Sequence, residues 1–272
     1  MRPTLLLPAL AVVLLSTAAC DFEDFHDGGM RYNSDFHYTY PLSAAGHLSV
    51  ETFNGSIEVT GWDEQNIDIS GTKYARSQQA AEDLQVAIDH SASSVSVRVV
   101  RPSDFRGNTG ARFVIKVPRG AVLDRLTSSN GAIRASDAAG PARFRTSNGS
   151  IRVEGLKGTL EAHTSNGSIH ADLTSADGPL RFETSNGGID LRLPPKFDDE
   201  LRAHTSNGGI TVRLPGDINA RLTAHTSNGH VTSDIDVRTS GEISKTRLDG
   251  VLGAGGPLLD LSTSNGNIRL TR

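Results

Sequence analysis

Thr146-Ser147-Asn148-Gly149-Ser150-Ile151 returns along this 272-residue chain with small variations. Thr-Ser-Asn-Gly recurs with its Asn at 148, 166, 186, 207, 228 and 265. A variant, Ser128-Ser129-Asn130-Gly131, leads the series, and Thr52-Phe53-Asn54-Gly55 stands alone near the start. From Asn130 to Asn228 the steps are 18, 18, 20, 21 and 21 residues. A near-constant period of this length marks a solenoid, in which each unit buries its apolar face only against its neighbours.

The period does not choose between helix and strand, but the alternation within it does. Counting six, four and two residues back from successive Asn gives Ala142, Phe144, Thr146; Leu160, Ala162, Thr164; Leu180, Phe182, Thr184; Leu201, Ala203, Thr205; and Leu222, Ala224, Thr226. The intervening positions are polar, among them Arg143, Arg145, Glu161, His163, Arg181, Glu183, Arg202, His204 and His225. Period two with one apolar face is a half-buried strand. After each Asn-Gly the alternation restarts: Ile151 and Val153, Ile169 and Ala171, Ile189 and Leu191, Ile210 and Val212 share one phase. Each unit therefore reads as strand, Asn-Gly corner, strand, and a second corner that is often glycine-bearing.

Two arrangements fit this reading. An Asn-Gly between short strands is a strong hairpin signal and would give an antiparallel meander. Alternatively the corner turns the chain along one coil of a β-helix, and the coils stack in parallel. The coil is the better reading. It puts like residues above like about 4.8 Å apart, and it gives a reason for Asn at every step, since stacked Asn side chains bond one another's amides. Counting in twos puts these Asn (130, 148, 166, 186, 207, 228 and 265) on the inner face, as a structural ladder. The predicted fold is all-β: a parallel β-helix or β-solenoid, with one short helix in its N-terminal part.

Met1 to Ala19 reads as a signal peptide: Arg2 leads, Leu5 to Leu15 is apolar apart from Pro8, and Ser16-Thr17-Ala18-Ala19 is a small-residue cleavage site. Cys20, the single cysteine, follows at once. The placement resembles a bacterial lipoprotein signal, with Cys20 as the lipidated first residue, although Thr17 stands where Leu is usual. A lone cysteine makes no internal disulfide. Residues 20–43 read as a tether, with Asp21, Glu23, Asp24 and Asp27 early in it; Asp21 resembles an inner-membrane retention signal. Residues 44–120 form a β-rich N-terminal part. Leu48, Val50, Thr52, Asn54, Ile57 and Val59 repeat the solenoid register there, and Tyr74 to Leu84 is the helical stretch. Leu84-Val86-Ile88 and Val95-Val97-Val99 look like a strand pair. Residues 121–272 are the regular coils, continuous with 44–120, and degrade from Arg238 as terminal units do.

Net charge −4 and 21% charged residues give no electrostatic footprint for nucleic acid. His163, His204 and His225 fall in one outward column with Arg145 and Glu183. If successive units stack, His204 and His225 sit about 5 Å apart, near Glu183. That set suits Zn²⁺ on paper, but a solvated face of favourable ladder pairs is the better reading, and no metal or cofactor is assigned. A carbohydrate-active enzyme needs two carboxylates roughly 5 to 9 Å apart. Asp172 and Asp190 are the nearest pair, but Arg152 and Arg192 flank them, which points to ion pairing. No catalytic residue is assigned.

Several motifs together resemble the putative adhesin family, a domain of unknown function on bacterial envelope proteins. They are the repeated Asn-Gly-x-Ile, the stretch Asn54-Gly55-Ser56-Ile57-Glu58-Val59-Thr60-Gly61-Trp62-Asp63, Val117-Pro118-Arg119-Gly120 before the coils, and Leu252-Gly253-Ala254-Gly255-Gly256 before Thr263-Ser264-Asn265-Gly266-Asn267-Ile268. The resemblance covers residue 44 to the end and implies an envelope β-solenoid without enzymatic residues. The expectation is a lipid-anchored protein of the bacterial cell envelope, on the periplasmic side or at the cell surface. Its solenoid would act as an adhesion or interaction scaffold for a glycan, peptidoglycan or an envelope protein. The alternatives are a β-helix lyase or hydrolase, or an accessory to envelope-stress signalling.

Overall fold

The computed structural model describes residues 32–100, 109–239 and 244–272. Signal peptide, Cys20 and the first half of the tether lie outside them. The chain enters through β1 (Tyr32–Pro41) and makes its first corner between β2 (His47–Asn54) and β3 (Ile57–Trp62). It then leaves the coil for β4 (Asn66–Ala75), a helix α1 (Gln78–Asp83), β5 (Gln85–His90), β6 (Ser94–Val100) and β7 (Gly110–Pro118).

Regular coils follow as strand pairs across an Asn-Gly corner. They are β8 (Val122–Asn130) with β9 (Ile133–Ser136), β10 (Ala142–Asn148) with β11 (Ile151–Lys157), β12 (Leu160–Asn166) with β13 (Ile169–Ser175), β14 (Leu180–Asn186) with β15 (Ile189–Arg192), β16 (Leu201–Asn207) with β17 (Ile210–Arg213), and β18 (Ala220–Asn228) with β19 (Val231–Ser233). After β20 (Arg238–Thr239) and β21 (Arg247–Leu252), a last coil is formed by β22 (Leu258–Asn265) and β23 (Ile268–Thr271).

The first strand of every coil joins a 12-stranded sheet and the second an 11-stranded sheet. Stacking of the coils is parallel and in register, as the period predicts. Leu160, Ala162, Thr164 and Asn166 lie opposite Leu180, Phe182, Thr184 and Asn186, and those lie opposite Leu201, Ala203, Thr205 and Asn207. The early coil joins the same stack, with Asn54 opposite Asn130. Inward side chains of both sheets form one continuous core from Leu42 to Leu270. Phe144 and Phe182 fill alternate levels of one column, with Ala162 between them and Ala203 beyond. This interleaving of large and small residues suits a narrow core.

Stacking order and chain order part company at the C-terminal end. β22 lies between β16 and β18, and β23 lies between β17 and β19. The final coil is thus the penultimate level, and residues 220–233 form the last one. β21 closes that level by pairing antiparallel with β18. The N-terminal end is closed likewise: β5 runs antiparallel to β6, β4 to β7, and β1 to β4. Antiparallel strands of unrelated sequence interrupt the repeating parallel edge at the N-terminal end of both sheets and at the C-terminal end of the 12-stranded one, one way a sheet avoids offering itself as a template.

Two boundaries differ from the sequence reading. Tyr32 to Pro41 is a strand of the sheet, not tether, so the folded body begins at least twelve residues before position 44. The helix is also shorter than Tyr74–Leu84. Tyr74 and Ala75 complete β4, and Ser77 caps the helix by accepting a hydrogen bond from Ala80 N at 3.2 Å.

The corner explains the motif residue by residue. Thr is buried, and its hydroxyl donates to a Gly carbonyl of the adjoining level: Thr146 to Gly131, Thr164 to Gly149, Thr184 to Gly167 and Thr205 to Gly187, each at 2.9 Å. Thr263 and Thr226 continue the series to Gly208 and Gly266, and Ser128 serves Gly55. Asn forms the expected ladder, but outside the core. Asn130, Asn148, Asn166, Asn186, Asn207, Asn228 and Asn265 are all exposed. The backbone bends at Ser-Asn-Gly, so the two-residue alternation ends at Thr, and Ser147 and Asn148 both face water. Each Nδ2 donates to the Oδ1 of the level before it, as Asn166 does to Asn148 at 2.9 Å and Asn186 to Asn166 at 2.8 Å.

Water replaces exposed partners at little cost. Asn166→Ala, which removes one rung of the ladder, is therefore expected to cost no more than about 1 kcal/mol. A chemical-denaturation midpoint close to the parent's is the check; a loss several times larger would mean the side chains are desolvated.

Candidate functional site

The exposed surface with repeating chemistry is the outward face of each sheet. On the 12-stranded sheet one column runs Arg145, His163, Glu183, His204, Ser262, His225. His163 Nδ1 lies 3.4 Å from Glu183 Oε2, and His204 Nδ1 lies 2.9 Å from Ser262 Oγ. His204 and His225 are not neighbours, because Ser262 of the inserted β22 separates them. The adjacency expected from chain order fails for that reason. Among the described residues, no three His, Cys, Asp or Glu side chains are grouped to hold a metal ion. The next column runs Arg143, Glu161, Arg181, Arg202, Asp260, with Arg143–Glu161 at 3.4 Å and Arg202–Asp260 at 3.2 Å. A shallow depression at the edge of this face is lined by Asp124, Arg143, Glu161 and Arg181 among others.

On the 11-stranded sheet Asp190 faces His170 on one side and Thr211 on the other, and Asp172 faces Arg192. Asp190 accepts from Arg213 at 2.8 Å and lies 3.7 Å from His170, while Asp172 lies 3.7 Å from Arg192. Each carboxylate that could serve glycoside chemistry is thus next to a base on a neighbouring strand. Exposed pairs of this kind contribute at most about 1 kcal/mol each. Their regularity makes a patterned surface and adds little to the stability of the fold.

Two carboxylates near the N-terminal end are held below the usual carboxylate range. Hydrogen bonding from the Arg119 guanidinium lowers Asp63, with its Nε 2.7 Å away. Asp68 is lowered first by its hydrogen bond with His37, at 2.6 Å. Both sit on the surface at one end of the stack, away from any enclosed cleft.

Buried polar side chains discriminate further. Among the described residues they are Thr52, Thr109, Ser128, Thr146, Thr164, Thr184, Thr205, Thr226 and Thr263. All are hydroxyls, and none titrates near neutral pH. Of these, the Thr of the repeat went unrecognised in the sequence as a hydrogen-bonding group. The available signal was its recurrence at an inward position where Val has the same shape. Cys20 lies outside the described residues. Among those described, no helix is long and apolar enough to cross a membrane.

The family described as Toastrack DUF4097 matches residues 39–214, well over half of the chain. No curated protein matches it. Among solved structures, a putative cell adhesion protein from Clostridium sporogenes is 14% identical, covering 88% of this chain and 99% of its own, with a TM-score of 0.40. A putative adhesin from Bacteroides fragilis is 9% identical, covering 87% of this chain and 97% of its own, with a TM-score of 0.45.

Proposed function

This chain belongs to the Toastrack DUF4097 family, and on that premise we propose that it is a non-catalytic scaffold of the bacterial cell envelope. A lipid on Cys20 holds it to the membrane, and its flat outer faces receive an envelope partner: a glycan, peptidoglycan or another envelope protein. The observation that carries this reading is the contrast between inside and outside. Among the described residues the buried polar side chains are hydroxyls, and the seven at the Asn-Gly corners from Ser128 to Thr263 donate to the backbone of the adjoining level, whereas titratable groups stand on the outward, repeating faces. Catalysis draws on perturbed groups in enclosed sites, while recognition of an extended polymer draws on a long, repeating surface. Support for the anchor is the sequence Ser16-Thr17-Ala18-Ala19-Cys20 behind an apolar stretch too short to span a bilayer.

The test uses the full chain and its Cys20→Ser variant in a bacterial host. The parent is expected in the membrane fraction and the variant in the soluble periplasmic or external fraction. Purified variant is expected to co-sediment with cell-wall or membrane material and to release no sugar from it. Membrane retention of the variant would remove the lipid anchor. Glycan cleavage abolished by Asp172→Asn or Asp190→Asn with the fold intact would replace the scaffold by an enzyme.

A further inference from the structure

Eight Asn-Gly dipeptides stand above one another along one corner of the solenoid, in the order 54, 130, 148, 166, 186, 207, 265, 228. Asn-Gly is the dipeptide in which the backbone nitrogen most readily attacks the preceding carboxamide, because glycine puts no Cβ in the way. Here the fold occupies that nitrogen almost everywhere. The N–H groups of Gly55, Gly131, Gly149, Gly167, Gly187, Gly208 and Gly266 donate to the main-chain carbonyls of Asn130, Asn148, Asn166, Asn186, Asn207, Asn265 and Asn228 at 2.9 to 3.1 Å. The carboxamide is engaged as well. Nδ2 of each later Asn donates to the Oδ1 of the one before it, at 2.7 to 3.0 Å.

Both series run out at the same residue. Asn228 is the last of the stack. Its Nδ2 reaches Asn265 Oδ1 at 2.9 Å, but among the described residues nothing donates to its own Oδ1 and Gly229 N–H has no acceptor. The chain that closes this level bonds on either side of the corner, Thr226 N to Thr246 O and Val231 N to Lys245 O, and passes over Gly229. Asn228 is also exposed.

We propose that Asn228-Gly229 is a built-in deamidation site, the corner of the ladder at which, among the described residues, the glycine N–H has no acceptor and the Asn Oδ1 has no donor. Gly229 N gives up its proton and bonds to Asn228 Cγ. The Cγ–Nδ2 bond breaks, and the nitrogen departs as ammonia with that proton. Water then opens the five-membered imide at one of its two C–N bonds, leaving aspartate or isoaspartate. The balance is one water in and one ammonia out, with no oxidant or cofactor. The product has a carboxylate where a donor faced Asn265 Oδ1, so acceptor meets acceptor and the last level loses its tie to the ladder. The same carboxylate adds a negative charge to the C-terminal end of the stack. In the other seven corners, reaction requires breaking the Gly N–H bond first. A net hydrogen bond of about 1.4 kcal/mol corresponds to a tenfold rate ratio, and local opening of a packed level adds to it.

The test is peptide mapping by mass spectrometry of the full-length Cys20→Ser protein after incubation in mildly alkaline buffer below its melting temperature, with circular dichroism recording the fold. A gain of about one mass unit is expected at the peptide carrying Asn228, at least about tenfold faster than at Asn148, Asn166 or Asn186. Asn228→Gln, whose ring closure is less favourable, is expected to lose the early modification while its fold is unchanged. In denaturant all eight sites are expected to react at similar rates. Comparable rates at the interior sites of the folded protein would overturn the assignment. So would an unmodified Asn228 under conditions that modify it in denaturant.

Discussion

Gly187→Ala is expected to destabilise the protein by about 3 kcal/mol, whereas Gly188→Ala, one residue along, is expected to be neutral or slightly stabilising. A Cβ built on Gly187 would lie 2.1 Å from the carbonyl oxygen of Gly167 on the level below. Backbone on both sides is locked in the parallel ladder, so neither can yield. The same contact, at 2.0 to 2.2 Å, recurs at Gly131, Gly149, Gly167, Gly208, Gly229 and Gly266. The glycine of the motif is therefore a spacing requirement: adjacent corners approach too closely for any side chain. At Gly188 the nearest atom is Gly209 O at 3.4 Å, an ordinary contact. The equivalent positions on other levels already carry side chains, Ser150 and Ser168. Replacing a freely placed glycine by alanine reduces the entropy of the unfolded chain and gains up to about 0.5 to 1 kcal/mol. Thermal or denaturant melting of the two variants side by side checks this; equal losses would show that the corner is not closed by backbone contact.

Thr184→Val is the second large effect expected, about 1 to 3 kcal/mol, with Thr184→Ser costing less although it removes the same number of heavy atoms from the side chain as Thr→Val exchanges. Thr184 is 1% exposed and donates at 2.9 Å to Gly167 O. Valine keeps the shape and leaves that carbonyl without its side-chain donor. Serine keeps the donor and loses a methyl, and Ser128 already plays the part at Gly55 O, at 2.9 Å. Denaturation midpoints settle the ranking. Valine tolerated better than serine would mean that packing, not the hydroxyl, selects threonine.

These residues also show what the sequence could and could not convey. Parallel in-register stacking was legible, because stacking like over like gives a reason for Asn at every step that a hairpin meander does not. The N-terminal coil around Asn54 was legible for the same reason. The side of the sheet that Asn faces was not. Alternation predicts it only while the chain stays extended, and the bend at Ser-Asn-Gly resets the phase. β1 carries its own alternation, with Tyr32, Ser34, Phe36, Tyr38 and Tyr40 against Asn33, Asp35, His37 and Thr39. The acidic, glycine-bearing stretch before it made the whole segment read as tether. The insertion of β22 and β23 ahead of β18 and β19 left no local signal. Every coil carries nearly the same inward residues, so the repeat pattern does not distinguish one stacking order from another. That displacement is also why the predicted His204/His225 neighbourhood does not form.

In-register parallel stacking, with the last coil inserted at the penultimate level, underlies each of these effects. Paired cysteines in a Cys20→Ser background test it most directly. A disulfide requires Cα atoms roughly 4.4 to 6.8 Å apart, the separation of adjacent in-register strands and less than that of strands two levels apart. His204→Cys with Ser262→Cys is predicted to crosslink under mild oxidation and to leave the fold unchanged, while His204→Cys with His225→Cys is predicted to remain reduced. Ready crosslinking of the 204/225 pair, with the 204/262 pair left free, would contradict the stacking order and the corner chemistry that follows from it.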